Sequence, residues 1–332
     1  MTTPLNELDV IFISYDEDNC EENYADLLTK VPWAKRVHGV KGSDEAHKEA
    51  ARMSETERFI SVDGDNIVDP AFFDQSIDFE HPKFKDKAVS WSAKNAVNGL
   101  EYGNGGLKCW PVEYVMRMQS HEQADSTDDA GARVDFCWDD GYVQMNNRYC
   151  TTYPNGSPRQ AFRAGFREGV KMTLDRGLKV VGKNFKDVVW HGNLNRLNIW
   201  MSVGADVEYG VWAIYGARLG CYMTNLTDWD YVQVRDFEYI NVLFTEELKK
   251  LSEMTNHVYD TRCLKTGVSW SNENLLSEIT KMGSILRKEF GLEIAELDAT
   301  QSKFFKANLP QVPRMGHLLT EAEYENLRSV NR

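Results

Sequence analysis

The stretch Arg58-Phe-Ile-Ser-Val-Asp-Gly-Asp65 decides how this chain is expected to fold. Its first five residues include β-branched and aromatic side chains, which predicts a short buried strand over Arg58–Val62. Asp63 and Asp65 follow directly at the carboxyl end of that strand. In α/β sheets, ligands bind in the crevice beyond the carboxyl ends of the strands. The acidic pair is therefore placed where a binding site is expected.

Two units, each a strand followed by a helix, precede this stretch. The apolar run Asp9–Tyr15 predicts a strand, and helical spacing follows over Glu21–Lys30. Lys35–Gly39 predicts a second strand, and Ser43 is expected to cap a helix that runs to about Met53. Strands that alternate with helices predict an α/β fold, in which a mostly parallel, Rossmann-like sheet is flanked by helices.

The middle of the chain, Asp78–Pro111, is rich in loop-forming residues. It contains one apolar run, Ala88–Ser92, that predicts a strand. This stretch, which includes the glycine-dense segment Tyr102–Gly106, is a candidate for a loop that covers the substrate. A short helix is expected over Pro111–Gln119, and the acidic segment Glu122–Asp129 is expected to be exposed.

The second half of the chain is predicted to be mainly helical. Ser157 and Pro158 carry the signals of a helix start, a capping hydroxyl followed by proline in the first turn. Further helices are expected over Leu194–Val203 and Val207–Arg218, with Gly220 ending the second of them.

Composition restricts the kind of protein. The chain has 332 residues, 42% of them hydrophobic, and a formal net charge of −13. This charge argues against nonspecific coating of nucleic acid, which needs clustered Lys and Arg, although a local basic groove is compatible with it. No apolar run reaches the roughly 20 residues that span a bilayer, and no signal-peptide pattern is present, so we expect a cytoplasmic protein without membrane contact. The six cysteines form no C-x-x-C pair, which argues against a zinc site.

The acidic pair predicts a site for a divalent cation. Mg²⁺ and Mn²⁺ bind carboxylate oxygens that are held in a fixed position, and Asp63 and Asp65 at a strand end supply them. Asp65 is expected to be the direct ligand. The alternative is a solvated acidic turn, which is the usual state of an isolated Asp-x-Asp sequence.

The sequence before the acidic pair favours the cation site. A glycine-led segment with small residues, Lys41–Ala51, is followed after a spacer by Phe59–Asp65. This arrangement resembles the nucleotide-binding half of GT-A glycosyltransferases, in which a glycine-led helix precedes a strand that ends in an acidic metal motif. The resemblance covers about residues 9–70. It implies a metal-dependent transferase that uses a UDP-sugar together with Mn²⁺ or Mg²⁺.

The resemblance also implies roles for individual residues. Those expected at the donor are Ser14, Tyr15, Asp16, Lys41, His47 and Asp63, with Asp63 also at the metal beside Asp65. Family members complete the metal shell with a histidine far downstream, and His191 is the matching candidate here. His47 is alternatively a helix residue satisfied by a neighbouring carboxylate, and Lys41 a solvated loop lysine.

Sugar transfer also needs a carboxylate that takes the proton of the acceptor hydroxyl. Asp140, in an apolar setting that would raise its pKa, is the preferred base, and Glu168 is its rival. Their alternatives are a turn before a strand and an ion pair on a helix. Arg163 and Arg167 share a helix face and are expected to bind the phosphates of the donor, or else to form salt bridges there.

Three later segments narrow the resemblance: Trp91–Pro111, Phe162–Glu168 and Trp200–Gly220. They look similar to glycosyltransferases of tailed bacteriophages, and within that group to the enzymes that modify 5-hydroxymethylcytosine in viral DNA, in particular those that transfer arabinose. This implies DNA as the acceptor. From the pattern along the chain we expect a boundary near Leu226–Tyr231, with a glycosyltransferase domain over residues 1–228, divided near residue 110 into a nucleotide-sugar half and an acceptor half, and a helical region over residues 229–332.

A DNA acceptor requires positive charge and stacking surfaces near the site. The lysines expected to form a basic rim are Lys83, Lys85, Lys87, Lys94 and Lys108, and the aromatic residues expected to stack on a base are Trp91, Tyr102 and Trp110. Alternatives are a protein, glycan or small-molecule acceptor, and a nucleotide-sugar-binding domain without catalysis. A nucleotidyltransferase is disfavoured, because acidic residues, Asp16–Asp18, follow the first strand where that class carries a glycine-rich basic loop.

Overall fold

The computed structural model describes residues 2–126, 134, 141–180, 185–254 and 271–309. Its strands are β1 (Thr3–Pro4), β2 (Asp9–Ser14), β3 (Lys35–His38), β4 (Arg58–Asp63), β5 (Asn66–Val68), β6 (Ser76–Ile77), β7 (Ala88–Asn95), β8 (Glu101–Pro111) and β9 (Tyr142–Thr152). Its α-helices are α1 (Cys20–Lys30), α2 (Ser43–Met53), α3 (Val112–Arg117), α4 (Pro158–Lys171), α5 (Phe185–Val188), α6 (His191–Trp200), α7 (Gly210–Leu226), α8 (Phe237–Glu253), α9 (Ser271–Phe290) and α10 (Ala299–Asn308).

Seven of the described strands form one mixed sheet in the order β3-β2-β4-β8-β7-β9-β5. The α/β class, with helices flanking the sheet and a helical C-terminal region, is confirmed. The parallel arrangement holds for β3, β2 and β4 and for the pair β7 and β9, whereas β8 runs antiparallel to both of its neighbours. The reason is the short connection 96–100 between β7 and β8, since a connection of that length joins antiparallel strands only.

The glycine-dense segment is part of a strand, so the expected substrate-covering loop at Tyr102–Gly106 is wrong. Ala93 of β7 pairs with Tyr102 of β8, and the next pair is Trp91 with Leu107. The residues of β8 between these two pairs outnumber those of β7 and form a bulge, which is where a sheet tolerates glycine. Gly106, with φ +67°, ends this bulge. The bulge brings the backbone of β8 against the end of β4.

The two faces of the sheet are covered by different helices. Alternate residues of β2 point to opposite faces: Phe12 packs in a cluster with Leu27 of α1, whereas Ile11 packs in a cluster with Ala50 of α2. This alternation is the period of two that a strand imposes on its side chains. Helix α1 connects β2 to β3 on one face of the sheet, and α2 connects β3 to β4 on the other. A crevice is therefore left between the carboxyl ends of β2 and β4, where a ligand can bind.

A third hydrophobic cluster joins α4 and α7 to the C-terminal helices. Phe162 of α4 lies 5.9 Å from Tyr215 of α7 and 5.4 Å from Phe244 of α8, measured between ring centroids. Helix α7 continues through Gly220 to Leu226, so the expected end at Gly220 is wrong. The proposed division near residue 228 stays a prediction; it falls between α7 and α8, whose apolar side chains share this cluster.

The start of α4 is as predicted. The Ser157 hydroxyl accepts a hydrogen bond from the backbone N–H of Gln160 at 3.1 Å, with Pro158 in the first turn. None of the helices in the described ranges combines the length and the apolar character needed to cross a bilayer.

Candidate functional site

A cavity of about 1950 Å³ opens at the carboxyl ends of β2 and β4. Its sheet side is lined by six residues predicted to bind the donor or the metal: Ser14, Tyr15, Lys41, His47, Asp63 and Asp65. Its helical side is lined by Arg163, Arg167 and Glu168 of α4 and by His191 at the start of α6. The fold therefore brings together most of the residues singled out from the sequence. Asp140 lies outside the described residues.

The acidic pair is held in a tight turn between β4 and β5. Asp63 is the last residue of β4, and Gly64 and Asp65 form the turn. A Cβ at Gly64 would come within 3 Å of the carboxylate of Glu17 and the Cβ of Ser14, so any other residue there would force these groups to move. Gly106 from the bulge of β8 is packed equally closely against Asp63. Two glycines thus let three strands approach around the carboxylates.

Negative charge is concentrated at this turn. The pKa of Asp65 is raised to about 7, first by burial and then by the nearby carboxylates of Asp63 and Glu17. Burial also raises the pKa of Glu17, whose Oε2 accepts a hydrogen bond from the backbone N–H of Tyr15 at 2.7 Å. A carboxylate whose pKa is raised by neighbouring carboxylates is suited to bind a hard divalent cation, which would offset the repulsion between them.

We expect Asp65→Asn to stabilise the metal-free protein at about pH 8 by about 1–2 kcal/mol. This is less than the free energy that corresponds to the whole pKa shift, because Asp65 keeps some contact with solvent. The carboxyl of Asp65 has a higher pKa when folded than the ordinary 3.8, so its ionisation lowers the free energy of unfolding as pH rises from about 4 to about 7. The variant lacks this loss. Urea unfolding across that pH range, in a chelator, measures the difference, with the exposed Asp74→Asn as control. A difference between variant and wild type that stays constant with pH would contradict the raised pKa.

The third predicted metal ligand, His191, lines the same cavity as the acidic pair, at the start of α6. Its ring packs edge-on against Trp190, with 5.6 Å between centroids, and His191, Asp63 and Asp65 do not form a group whose ligand atoms all lie within 4.8 Å of one another. In the described ranges, the group that meets this criterion is Cys20, Glu21 and His38. The role of His191 at the metal stays a prediction.

A guanidinium already occupies the group of Cys20, Glu21 and His38. Arg36 Nη2 lies 2.7 Å from Glu21 Oε1, 3.4 Å from Cys20 Sγ and 3.1 Å from His38 Nδ1. His38 Nδ1 is also 2.9 Å from the hydroxyl of Ser14. These contacts satisfy the group as an ion-pair network, and they tie Ser14, predicted at the donor, to the sheet edge.

The arginines of α4 are spaced four residues apart and share one face. Arg163 donates to Asp16 Oδ1 at 2.6 Å, and Arg159 donates to Asp16 Oδ2 at 2.8 Å. Burial alone would raise the pKa of Asp16, but the two guanidinium groups hold it below its ordinary value. Arg163 and Arg167 both stack on the ring of Phe237, at 4.5 and 4.8 Å from its centroid. Asp16 is thus an ion-pair partner that positions the arginines and is not among the residues lining the cavity.

Three other predicted donor residues are placed as follows. The Tyr15 hydroxyl donates to Glu238 Oε1 of α8 at 2.8 Å. His47 is buried, its Nδ1 lies 2.7 Å from the carbonyl oxygen of Ser43, and burial lowers its pKa. Its partner is thus a carbonyl of its own helix, so Nδ1 carries the proton. Lys41 is exposed at the cavity mouth.

Glu168 is held by groups that sequence reasoning did not identify. The hydroxyl of Tyr102 donates to Glu168 Oε2 and accepts a hydrogen bond from Trp200 Nε1 at 2.8 Å. Burial and the charge of Glu168 raise the pKa of Tyr102 well above 10, so the phenol keeps its proton. Lys171 Nζ lies 2.6 Å from Glu168 Oε1. The contact with Lys171, three residues later on α4, matches the alternative of an ion pair on a helix. No local sequence pattern connects Glu168 with Tyr102 of β8 or Trp200 of α6.

The predicted basic rim and stacking surface are largely wrong. Arg58, at the amino end of β4, donates to the carbonyl oxygen of Lys87 at 2.9 Å, so Lys83, Lys85 and Lys87 lie at the end of the sheet away from Asp63. Lys94 is exposed near the carboxyl end of β7, and Lys108 is buried. Trp91 and Trp110 are core residues, because their strands are covered on both faces. Tyr102 does line the cavity.

Comparison with known proteins adds little to this geometry. No protein-family model matches the chain, and no curated protein sequence matches it. Among solved structures, the chain is similar to a glycosyltransferase involved in the glycosylation of the major capsid of PBCV-1, with a TM-score of 0.22 and 12% sequence identity. The match covers 32% of this chain and spans 62% of that protein. A TM-score this low does not establish a common fold.

Proposed function

We propose that this chain is a glycosyltransferase that binds a nucleotide sugar at the carboxyl ends of β2 and β4. One observation carries the proposal: a single cavity has an acidic pair at a strand end on one side, and arginines and a hydrogen-bonded carboxylate on the other. Glycosyl transfer needs a cation or basic groups to stabilise the diphosphate leaving group, and a base for the acceptor hydroxyl. Both kinds of group face the same space.

Asp63 and Asp65 are proposed to hold Mn²⁺ or Mg²⁺. Such ions are commonly bound through one or two carboxylates, with substrate phosphates supplying further ligands, so two aspartates are sufficient. The charge concentration that raises the pKa of Asp65 supports this assignment. When bound, the ion would stabilise the negative charge of the departing diphosphate. Arg163 and Arg167 are proposed to orient the same group from α4, where Asp16 and Phe237 fix them.

Glu168 is proposed as the base that takes the proton of the acceptor hydroxyl. The hydrogen bond from Tyr102 occupies Oε2, and Lys171 lies at Oε1, so the carboxylate is fixed in the cavity wall. Asp140 remains the other candidate for this role. Substitution of each residue, described in the Discussion, separates the two.

The donor is proposed to be a UDP-pentose, with arabinose as the sugar, and the acceptor 5-hydroxymethylcytosine in DNA. The support for this finer assignment is the sequence resemblance of Trp91–Pro111, Phe162–Glu168 and Trp200–Gly220. The cavity volume of about 1950 Å³ is also larger than the roughly 300–1,000 Å³ of a typical small-molecule site. Room therefore remains beside a nucleotide sugar for an extruded base, which is how enzymes gain access to a base in duplex DNA.

The test is to incubate the protein and Mn²⁺ with UDP-sugars and DNA that contains 5-hydroxymethylcytosine, and to weigh the released nucleosides by mass spectrometry. A gain of one pentose, lost when the metal is chelated, is the expected result. A gain of one hexose would retain the DNA acceptor and change the sugar. Metal-dependent hydrolysis of a UDP-sugar without transfer would direct the search to protein or glycan acceptors. Absence of both hydrolysis and UDP binding would overturn the proposed function.

A further inference from the structure

One lysine is buried beside the acidic pair. Lys108, in the middle of β8, has only 4% of its surface exposed, yet it lines the cavity. Lysine is almost never buried unless its ammonium group is paired, because removing the charge from water is costly. The position therefore requires a partner for the ammonium group.

The residues that neighbour Lys108 on the adjacent strands are small. Lys108 pairs in register with Ser61 of β4 and Ser90 of β7, and both serines are fully buried. Small residues on either side leave a channel along which the aliphatic part of the lysine can extend. Asp63 follows Ser61 by two residues and so points to the same face. The ammonium group is thereby directed toward the acidic end of β4.

The partners provided by the protein are incomplete. Lys108 Nζ lies 3.8 Å from Asp63 Oδ2, which is an ion pair but is too long for a hydrogen bond. Among the residues that the structure describes, no group accepts a hydrogen bond from this nitrogen. Other cations of the cavity differ in this respect: Arg163 is bound to Asp16 at 2.6 Å and Lys171 to Glu168 at 2.6 Å.

We propose that Lys108 donates hydrogen bonds to a phosphate oxygen of the nucleotide-sugar donor. The proposal rests on the proposed function. The charge of a divalent cation on Asp63 and Asp65 would be formally balanced by those two carboxylates, which leaves part of the charge of the diphosphate to be compensated by other groups of the protein. Lys108 supplies a positive charge beside the acidic pair, and none of its ammonium hydrogens is donated to a group of the described residues. A phosphate oxygen is the acceptor that matches both its charge and its burial.

The experiment is calorimetric titration of UDP and of uridine into wild-type protein and into Lys108→Met and Lys108→Gln, all with Mn²⁺. UDP affinity is expected to fall about 10- to 100-fold in both variants, the loss of one charge-assisted hydrogen bond or more. Uridine affinity should stay within about twofold, because uridine lacks phosphate. Lys85→Met is the matched control, since Lys85 is exposed at the far end of the sheet and pairs with Glu80; its UDP affinity should be unchanged.

The outcomes separate this role from the proposed function. Two variants are used so that one can be studied if the other does not fold, and thermal melting of each verifies folding. UDP binding in the variants equal to that of the wild type would overturn the role of Lys108 alone. An equal loss of UDP and uridine affinity would also overturn it, because that result indicates a structural role. Wild-type protein that binds no UDP would overturn the proposed function, and with it the role of Lys108.

Discussion

Glu168→Gln is expected to lower the rate of sugar transfer by about 10²- to 10⁴-fold, the range typical of removing a general base. Glutamine has the shape of glutamate, and its side-chain oxygen can still accept the hydrogen bond from Tyr102. The substitution removes the negative charge, so the acceptor hydroxyl loses its proton acceptor and Lys171 loses its ion-pair partner. Single-turnover measurement of transfer, with donor in excess of its Kd, isolates the chemical step.

Donor binding provides the control for this prediction. Asp63 and Asp65 are on the opposite side of the cavity from Glu168, so the Kd for UDP with Mn²⁺ should change by less than about threefold. Asp140→Asn is measured in parallel. If Glu168→Gln transfers at the wild-type rate and Asp140→Asn does not, the base is Asp140. If UDP affinity falls as much as the rate does, Glu168 serves the donor and the assignment as base is wrong.

Substitution of Tyr102 tests whether Glu168 acts as the base or only forms part of the cavity wall. Tyr102→Phe retains the ring that stacks against Arg196, at 4.7 Å, but removes the hydrogen bond to Glu168. That hydrogen bond holds one oxygen of the carboxylate in place, so its loss should leave the base less well oriented toward the acceptor hydroxyl. The rate of transfer is therefore expected to fall, while the Kd for UDP stays the same. A rate of transfer equal to that of the wild type would indicate that Tyr102 does not position the base.

Local patterns were sufficient to predict the first three parallel strands, the two helices between them, and the edge of the sheet at which the candidate site lies. The apolar runs Asp9–Tyr15 and Arg58–Val62 become parallel neighbours, as alternation with helices requires. From that arrangement, Asp63 and Asp65 had to lie at the carboxyl edge of the sheet. Ser157 capped its helix as predicted. The strands and the helix cap depend on residues within a few positions of one another, which is the range over which sequence patterns carry information.

Features that depend on distant contacts were missed. The Tyr102–Gly106 segment was predicted to be a loop and is a bulge in β8. The two cannot be distinguished from the sequence, because glycines give the same local signal in loops and in bulges. The ion pair of Arg163 with Asp16 joins residues separated by 147 positions. The burial of Lys108 depends on two neighbouring strands, and a lysine in a sequence gives no sign of it. The predicted basic rim failed for this reason: proximity along the chain did not give proximity to Asp63.

The packing of α4 on α7 places Arg163, Arg167 and Glu168, and it depends on glycines that face each other across the two helices. A Cβ at Gly165 or Gly169 would collide with the backbone of Ala213 or Ala217, and one at Gly216 or Gly220 would collide with the backbone of α4. Backbone cannot move aside as a flexible side chain can. The four glycines therefore set the distance between the helices, and with it the position of the arginine face over the cavity.

We expect Gly165→Ala to destabilise the protein by about 2–3 kcal/mol, the cost of inserting a methyl group into close packing. The sign is diagnostic, because alanine in place of glycine inside a helix otherwise stabilises by roughly 1 kcal/mol. Gly165→Leu should cost more than about 4 kcal/mol or prevent folding. Gly39→Ala is the control: Gly39 has φ +71° and open space around it, so the methyl group should cost only about 1 kcal/mol of backbone strain. Urea unfolding of each variant gives these values. A Gly165→Ala protein as stable as the wild type would mean that α4 and α7 lie farther apart than described, and the arginines could not then be fixed over the cavity as proposed.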